Sequence, residues 1–229
     1  MHRYVDIRKK LLNVEELHMY DIYAPLVADA DIKISYEDAK EKVTEALGVL
    51  GNKYVGALKE GFDGGWIDIY ENEGKRGGAY SWGTFSGHPY VLLNHADNIN
   101  SMFTVAHEMG HALHSYFTWK KQPYIYSGHK IFVAEVASTC NEALLMEHML
   151  KTTTDKTARL YLINYFLEQF KSTFFRQTMF AEFEKIAHEM VEKGEPLTCD
   201  GLCGIYRDLN KQYFGNNIVI DSRIDLEGA

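Results

Sequence analysis

No apolar run in this 229-residue chain approaches the roughly 18 residues that a membrane-spanning helix requires, so no spanning segment is expected. The opening stretch MHRYVDIRKKLLNVEELHMYD is charged throughout and lacks the apolar core of a secretory leader. Cysteine is scarce and odd in number: Cys140, Cys199 and Cys203. A secreted disulfide framework normally needs an even set, so a reducing, cytoplasmic setting is expected. Cys199 and Cys203 are four apart, but two thiols alone make no zinc site, and they read as packing residues. Cations are in deficit, with 24 Lys and Arg against 32 Asp and Glu and a formal charge of −8. Such a balance argues against nucleic acid or an anionic membrane as partner. With only four prolines, no repeat and no low-complexity linker, the chain reads as a single domain over residues 1–229.

What is abundant is apolar and aromatic: 46% hydrophobic residues, with 15 Tyr and 12 Phe. That suffices for a substantial core, where most of these rings are expected to pack. Apolar spacing predicts a helix from Ser35, as cap, to about Leu58. GFDGGW breaks it, WIDIYE alternates as a short strand, residues 72–89 read as a Gly-rich loop, and PYVLLN gives a second strand. Pro89 at its head suggests an edge strand or a strand beginning. Helices follow: from a Ser101 cap to about Trp119, over residues 131–150, over 155–192 as one kinked helix or two, and from Asp200 to Phe214.

The chemistry is concentrated in HEMGH, residues 107–111. On a helix, residues four apart share a face, so His107 and His111 can hold one zinc ion while Glu108 stands beside it to take a proton from water. The apolar flanks of TVAHEMGHALHSYF predict a buried helix and a partly dry site. A third protein ligand is needed. His114 lies on the same face, but one straight helix hardly wraps three ligands around a tetrahedral ion. The extended HExxHxxGxxH pattern is absent. Glu135, the lone charge in the apolar run IFVAEVAST, needs a partner if buried; a metal is one, and a buried ion pair is the other.

The runs AHEMGHALHS and FVAEVASTCNE resemble the M3 family of zinc peptidases, and within it the oligoendopeptidase F group. HRYVDIRKKLL, HMYDIYAPLV, GKRGGAYS and HPYVLLN extend the resemblance over nearly the whole chain. The resemblance implies a mainly α, zincin-like helical catalytic domain, with a small β-sheet of short strands at the cleft edge. It implies zinc held by His107, His111 and Glu135, with Glu108 as general base. Glu142, seven residues after Glu135, is then a candidate to accept the free N–H of a ligand imidazole, or else a solvent-exposed carboxylate. His88 and Tyr90, at the strand HPYVLLN, are candidate substrate-binding residues, since an edge strand can take up an extended peptide; Tyr90 also suits plain strand packing.

Members of this group are much longer. The resemblance starts in the middle of such a protein and ends before the His- and Tyr-bearing segments expected to stabilise the oxyanion. The expected function is therefore zinc-dependent endopeptidase action on short peptides, impaired in a chain of this length. One rival is a metal-binding but inert module, or half of a split enzyme, completed by a C-terminal segment. Another is a helical interaction domain without metal. Self-association is left open by the apolar surface such a piece would expose.

Overall fold

The computed structural model describes residues 1–27 and 33–228. It resolves into two compact units, one of Met1–Ala30 with Leu160–Ala229, the other of Asp31–Arg159. The architecture is mainly helical with one three-stranded sheet, as expected. Among the described residues no helix is long and apolar enough to cross a membrane.

The Asp31–Arg159 unit carries the motif. Helix α2 (Tyr36–Ala46) follows α1 (His2–Leu12) of the other unit, and Ser35 caps it, its Oγ accepting from the Asp38 N–H at 3.1 Å. The helix expected to reach Leu58 is in fact two. A 3₁₀ turn at Leu47–Leu50 leads to Gly51, whose φ of 88° reverses the path before α3 (Asn52–Asp63). That left-handed angle is open to glycine at little cost, which is why the apolar spacing alone did not reveal the break.

The sheet comprises β1 (Ile67–Asp68), β2 (Tyr80–Gly83) and β3 (Pro89–Leu92), in the order β1-β3-β2. β3 runs parallel to β1 and antiparallel to β2. Of the two readings of Pro89, the edge strand is overturned because β3 is central, and the strand beginning holds. Pro89 is tolerated because it is the first residue of the strand, where a missing N–H interrupts least. β2 lies inside the stretch expected to be all loop. Its alternation is aromatic and outward-facing, with Trp82 77% exposed opposite Tyr90, and surrounding glycines masked it.

Helix α4 (Ile99–Lys121) carries HEMGH. Its cap is Asn98 and not Ser101: Asn98 Oδ1 accepts from the Ser101 N–H at 2.9 Å, while Ser101 Oγ accepts from the Ala96 N–H at 3.1 Å. α5 (Ile131–Thr152) packs along it. The two backbones meet at Gly110, where a Cβ would stand 2.7 Å from Ser138 Cα and 2.9 Å from the Ala137 carbonyl oxygen. Val105, Ala106, Met109, Ala112 and Leu113 fill the core around this contact.

In the other unit, α1, α7 (Arg176–Glu192) and α8 (Cys199–Phe214) surround a core of Val5, Leu17, Ile22, Met179, Tyr206 and Phe214. The boundary between units falls inside α6 (Lys156–Gln169), and a π-helical turn at Phe170–Phe175 joins α6 to α7. The long periodic stretch is thus two helices linked without a break in the spiral. Arg8 is buried here, donating to Glu168 Oε1 at 2.8 Å and to the carbonyls of Asp21 and Ala24 at 2.9 and 2.5 Å.

Not every ring is in the core: Tyr70, Tyr80, Trp82, Tyr90, Tyr124, Tyr126 and Phe132 are all exposed. Cys199 is exposed and Cys203 half-buried, so neither is a core packing residue.

Candidate metal centre

The HEMGH turn places both imidazoles on one face of α4, with His107 Nε2 and His111 Nε2 3.1 Å apart. From α5, Glu135 brings Oε2 to 3.5 Å from His107 Nε2 and Oε1 to 3.6 Å from His111 Nε2. One donor atom from each of the three residues lies within 4.8 Å of the others, the only such group of three among the described residues. Two imidazoles and a carboxylate are a zinc-type donor set, and three protein donors leave a fourth position open. The residues present therefore fit a single metal ion. Glu135 is 45% exposed, so the group opens to solvent on its side.

Each donor is held from behind. His107 Nδ1 is 2.5 Å from Glu142 Oε1, which fixes the ring with Nε2 toward the group. The Ala134 backbone on α5 lies against the His111 ring and favours its protonated form. Ser138 Oγ donates to Glu135 Oε2 at 3.0 Å, and Thr139 Oγ1 to the Glu135 carbonyl at 2.5 Å. Asn141 Nδ2 donates across to the Ala106 carbonyl on α4 at 3.0 Å, and Tyr54 of α3 donates to Asn141 Oδ1 at 2.9 Å. These partners shape the titration of the rings. Burial lowers the His107 pKa, but the Glu142 hydrogen bond and charge outweigh it and the net shift is upward. For His111, burial and then the neighbouring His107 push the pKa down.

Glu108 is only 6% exposed, and its Oε2 has no hydrogen-bond partner within the chain. Burial foremost, opposed by His107 and reinforced by Glu135 and Glu142, pushes its pKa up to about 7. A buried carboxylate with an idle oxygen beside a donor cluster can take up a proton near neutral pH.

The sequence expectations thus meet in one place for His107, Glu108, His111, Glu135 and Glu142. His114 stands apart: its ring stacks on His129 at 4.0 Å between centroids, outside the donor group. His88 and Tyr90 also lie outside it. His88 stacks on Trp66 at 5.4 Å and leans on Tyr90 at 4.4 Å, its Nδ1 2.7 Å from the Pro89 carbonyl. Sequence reasoning missed Ser138, Asn141 and Tyr54. The available signal was the recurrence of polar residues at 135, 138 and 141–142 in an otherwise apolar helix, a stripe facing α4.

The profile of "Peptidase family M3" matches residues 1–227. The "Oligopeptidase PepF" of Bacillus subtilis is 53% identical over 227 residues, covering 99% of this chain and 34% of that protein. A solved structure of a Chlamydophila abortus protein superposes with a TM-score of 0.84 at 40% identity, over 98% of this chain and 38% of that one. The structure of oligoendopeptidase-F from Enterococcus faecium does so with a TM-score of 0.67 at 37% identity, over 99% and 32%. The chain spans about a third of the length of these relatives.

Proposed function

This chain belongs to peptidase family M3, and from that premise we propose that it is the metal-binding catalytic segment of a zinc endopeptidase acting on short peptides. His107, His111 and Glu135 are the ligands. The observation that carries the reading is their convergence, one donor atom each within 4.8 Å of the others. A zinc ion held there would supply Lewis acidity, polarising a peptide carbonyl and acidifying water.

The remaining work falls to the chain's own groups. Glu108 accepts a proton from the attacking water on Oε2, the oxygen left without a partner, and returns it to the departing amine. Its burial keeps competing water away and its proton affinity near the working range. Glu142 holds the His107 ring in one orientation through Nδ1 throughout. An extended peptide needs an unpaired strand edge, and with β3 enclosed on both sides that role passes to β2. Tyr90, exposed beside Trp82, is then a side-chain contact for the peptide, with His88 buttressing it from Trp66.

A second reading is a metal-binding unit that turns over only with a complementing C-terminal segment. It is favoured by the third of its relatives' length that the chain spans. Bound zinc per chain after dialysis, measured alongside cleavage of a quenched fluorescent oligopeptide, tests both. The proposal expects one zinc per chain and cleavage that vanishes in Glu108→Gln while the zinc stays. Zinc without cleavage, with activity restored by an added C-terminal segment, selects the second reading. A chain that retains no metal overturns both.

A further inference from the structure

Asn141 is a buried polar residue beside the donor group that the reaction does not use. It is 1% exposed and sits one residue before Glu142 on α5. Its two hydrogen bonds run in opposite directions. Nδ2 donates at 3.0 Å to the carbonyl of Ala106, the residue before His107, and Oδ1 accepts at 2.9 Å from the hydroxyl of Tyr54 on α3. The chemistry fixes the amide's orientation. The Ala106 carbonyl can only accept, so the NH₂ must face it, and the opposite face then presents an acceptor to Tyr54. Burial pushes the Tyr54 pKa up to about 12, so its hydroxyl keeps the proton this bond requires.

The place where this strut lands matters. Ala106 is interior to α4, where its carbonyl already has a helical partner; Asn141 occupies the second lone pair. The anchor is the peptide unit that joins Ala106 to His107. A slide of α5 along α4 would break this bond and at once carry Glu135 and Glu142 away from His107, because all three side chains reach α4 from within two turns of α5. The contact at Gly110 sets the separation of the helices where they meet. The hydrogen bond from Asn141 adds a directional constraint on their axial register in the core.

We infer that the Tyr54–Asn141–Ala106 strut is the positioning device of the metal centre, locking the register at which α5 delivers Glu135 and Glu142 to the histidines of α4. Asn141 touches neither metal nor substrate and acts through Glu135, Glu142 and His107. The inference rests on the metal-centre reading above.

The test uses the full chain and two probes, zinc affinity by chelator competition and the visible d–d spectrum of cobalt(II) in place of zinc. Both are read well below the melting temperature. Asn141→Asp keeps the volume but sets an acceptor against the Ala106 carbonyl. Tyr54→Phe removes only the far donor and is the milder change should Asn141→Asp not fold. Both variants are expected to weaken zinc by about tenfold or more, the cost usual for a partner that orients ligands, and to shift the cobalt spectrum as the ligand geometry relaxes. Asn141→Gln, which keeps both functions on a longer arm, should recover part of the loss. Variants that melt earlier yet bind zinc and cobalt as the parent chain does would reduce Asn141 to a packing residue and overturn the inference, leaving the metal reading intact. A parent chain that binds neither metal removes both.

Discussion

Glu142 Oε1 lies 2.5 Å from Nδ1 of His107, on the opposite side of the ring from the nitrogen that faces His111 and Glu135. The carboxylate therefore selects one tautomer and one ring orientation, with the lone pair of Nε2 directed into the donor group. Glu142→Ala is expected to weaken zinc by about 10–100-fold without removing a ligand. Isothermal titration or chelator competition reads this directly, and an unchanged affinity would show that the ring is held by packing alone.

Glu135→Ala removes the one donor contributed by α5, leaving two imidazoles. The loss should exceed that of Glu142→Ala, and zinc should not survive dialysis. Retention of a full equivalent would point to a ligand beyond these three.

Glu108 gives the metal-free chain a particular pH dependence. Its pKa is about 7 folded against 4.5 as the ordinary value, so between those limits the folded state binds more protons than the unfolded one. Stability from this group is then present at the acid end and is lost as pH rises through the folded pKa. In the presence of chelator, Glu108→Gln should be about as stable as the parent chain near pH 4. It should be more stable by up to about 3 kcal/mol near pH 8. Denaturant melts at the two pH values check the sign; a gap that narrows with rising pH contradicts it.

Gly110→Ala places a methyl group 2.7 Å from Ser138 Cα, against backbone that has no rotamer with which to yield. Overpacking of this kind costs about 1–3 kcal/mol. Because α5 must retreat, zinc affinity should fall together with the melting temperature, a pairing that an exposed helical alanine substitution would not produce.

In the unit of Met1–Ala30 with Leu160–Ala229, Arg8→Ala leaves the carbonyls of Asp21 and Ala24 without their donor, while Glu168 keeps Lys171 and the Tyr4 hydroxyl. An unsatisfied buried polar group costs about 1–3 kcal/mol. A denaturation midpoint shifted by much less would mean that water replaces the arginine.

The paired histidines were legible in sequence because their chemistry is tied to short-range helical spacing. Glu135 stood out as a carboxylate in an apolar run, but that run left a buried ion pair open as well, and only the resemblance to the M3 family joined it to the histidines. Long-range relations were not legible. WIDIYE announced β1 by its alternation, but that PYVLLN lies between β1 and β2 depends on pairing across the sheet and on an aromatic strand hidden among glycines. The break at Gly51 was masked because helical spacing resumes in α3 after the turn. Nothing local marked Asn141, since its two partners lie 35 and 87 positions away.

The close approach at Gly110 limits how portable the five-residue motif is. Grafted into a helix of another protein, HEMGH would bring two imidazoles and a base. Without a neighbouring helix able to press its backbone against the fourth position, it would find no carboxylate at the right reach. The glycine is a docking instruction written between the two histidines, and an engineer borrowing the site would have to borrow the second helix along with it.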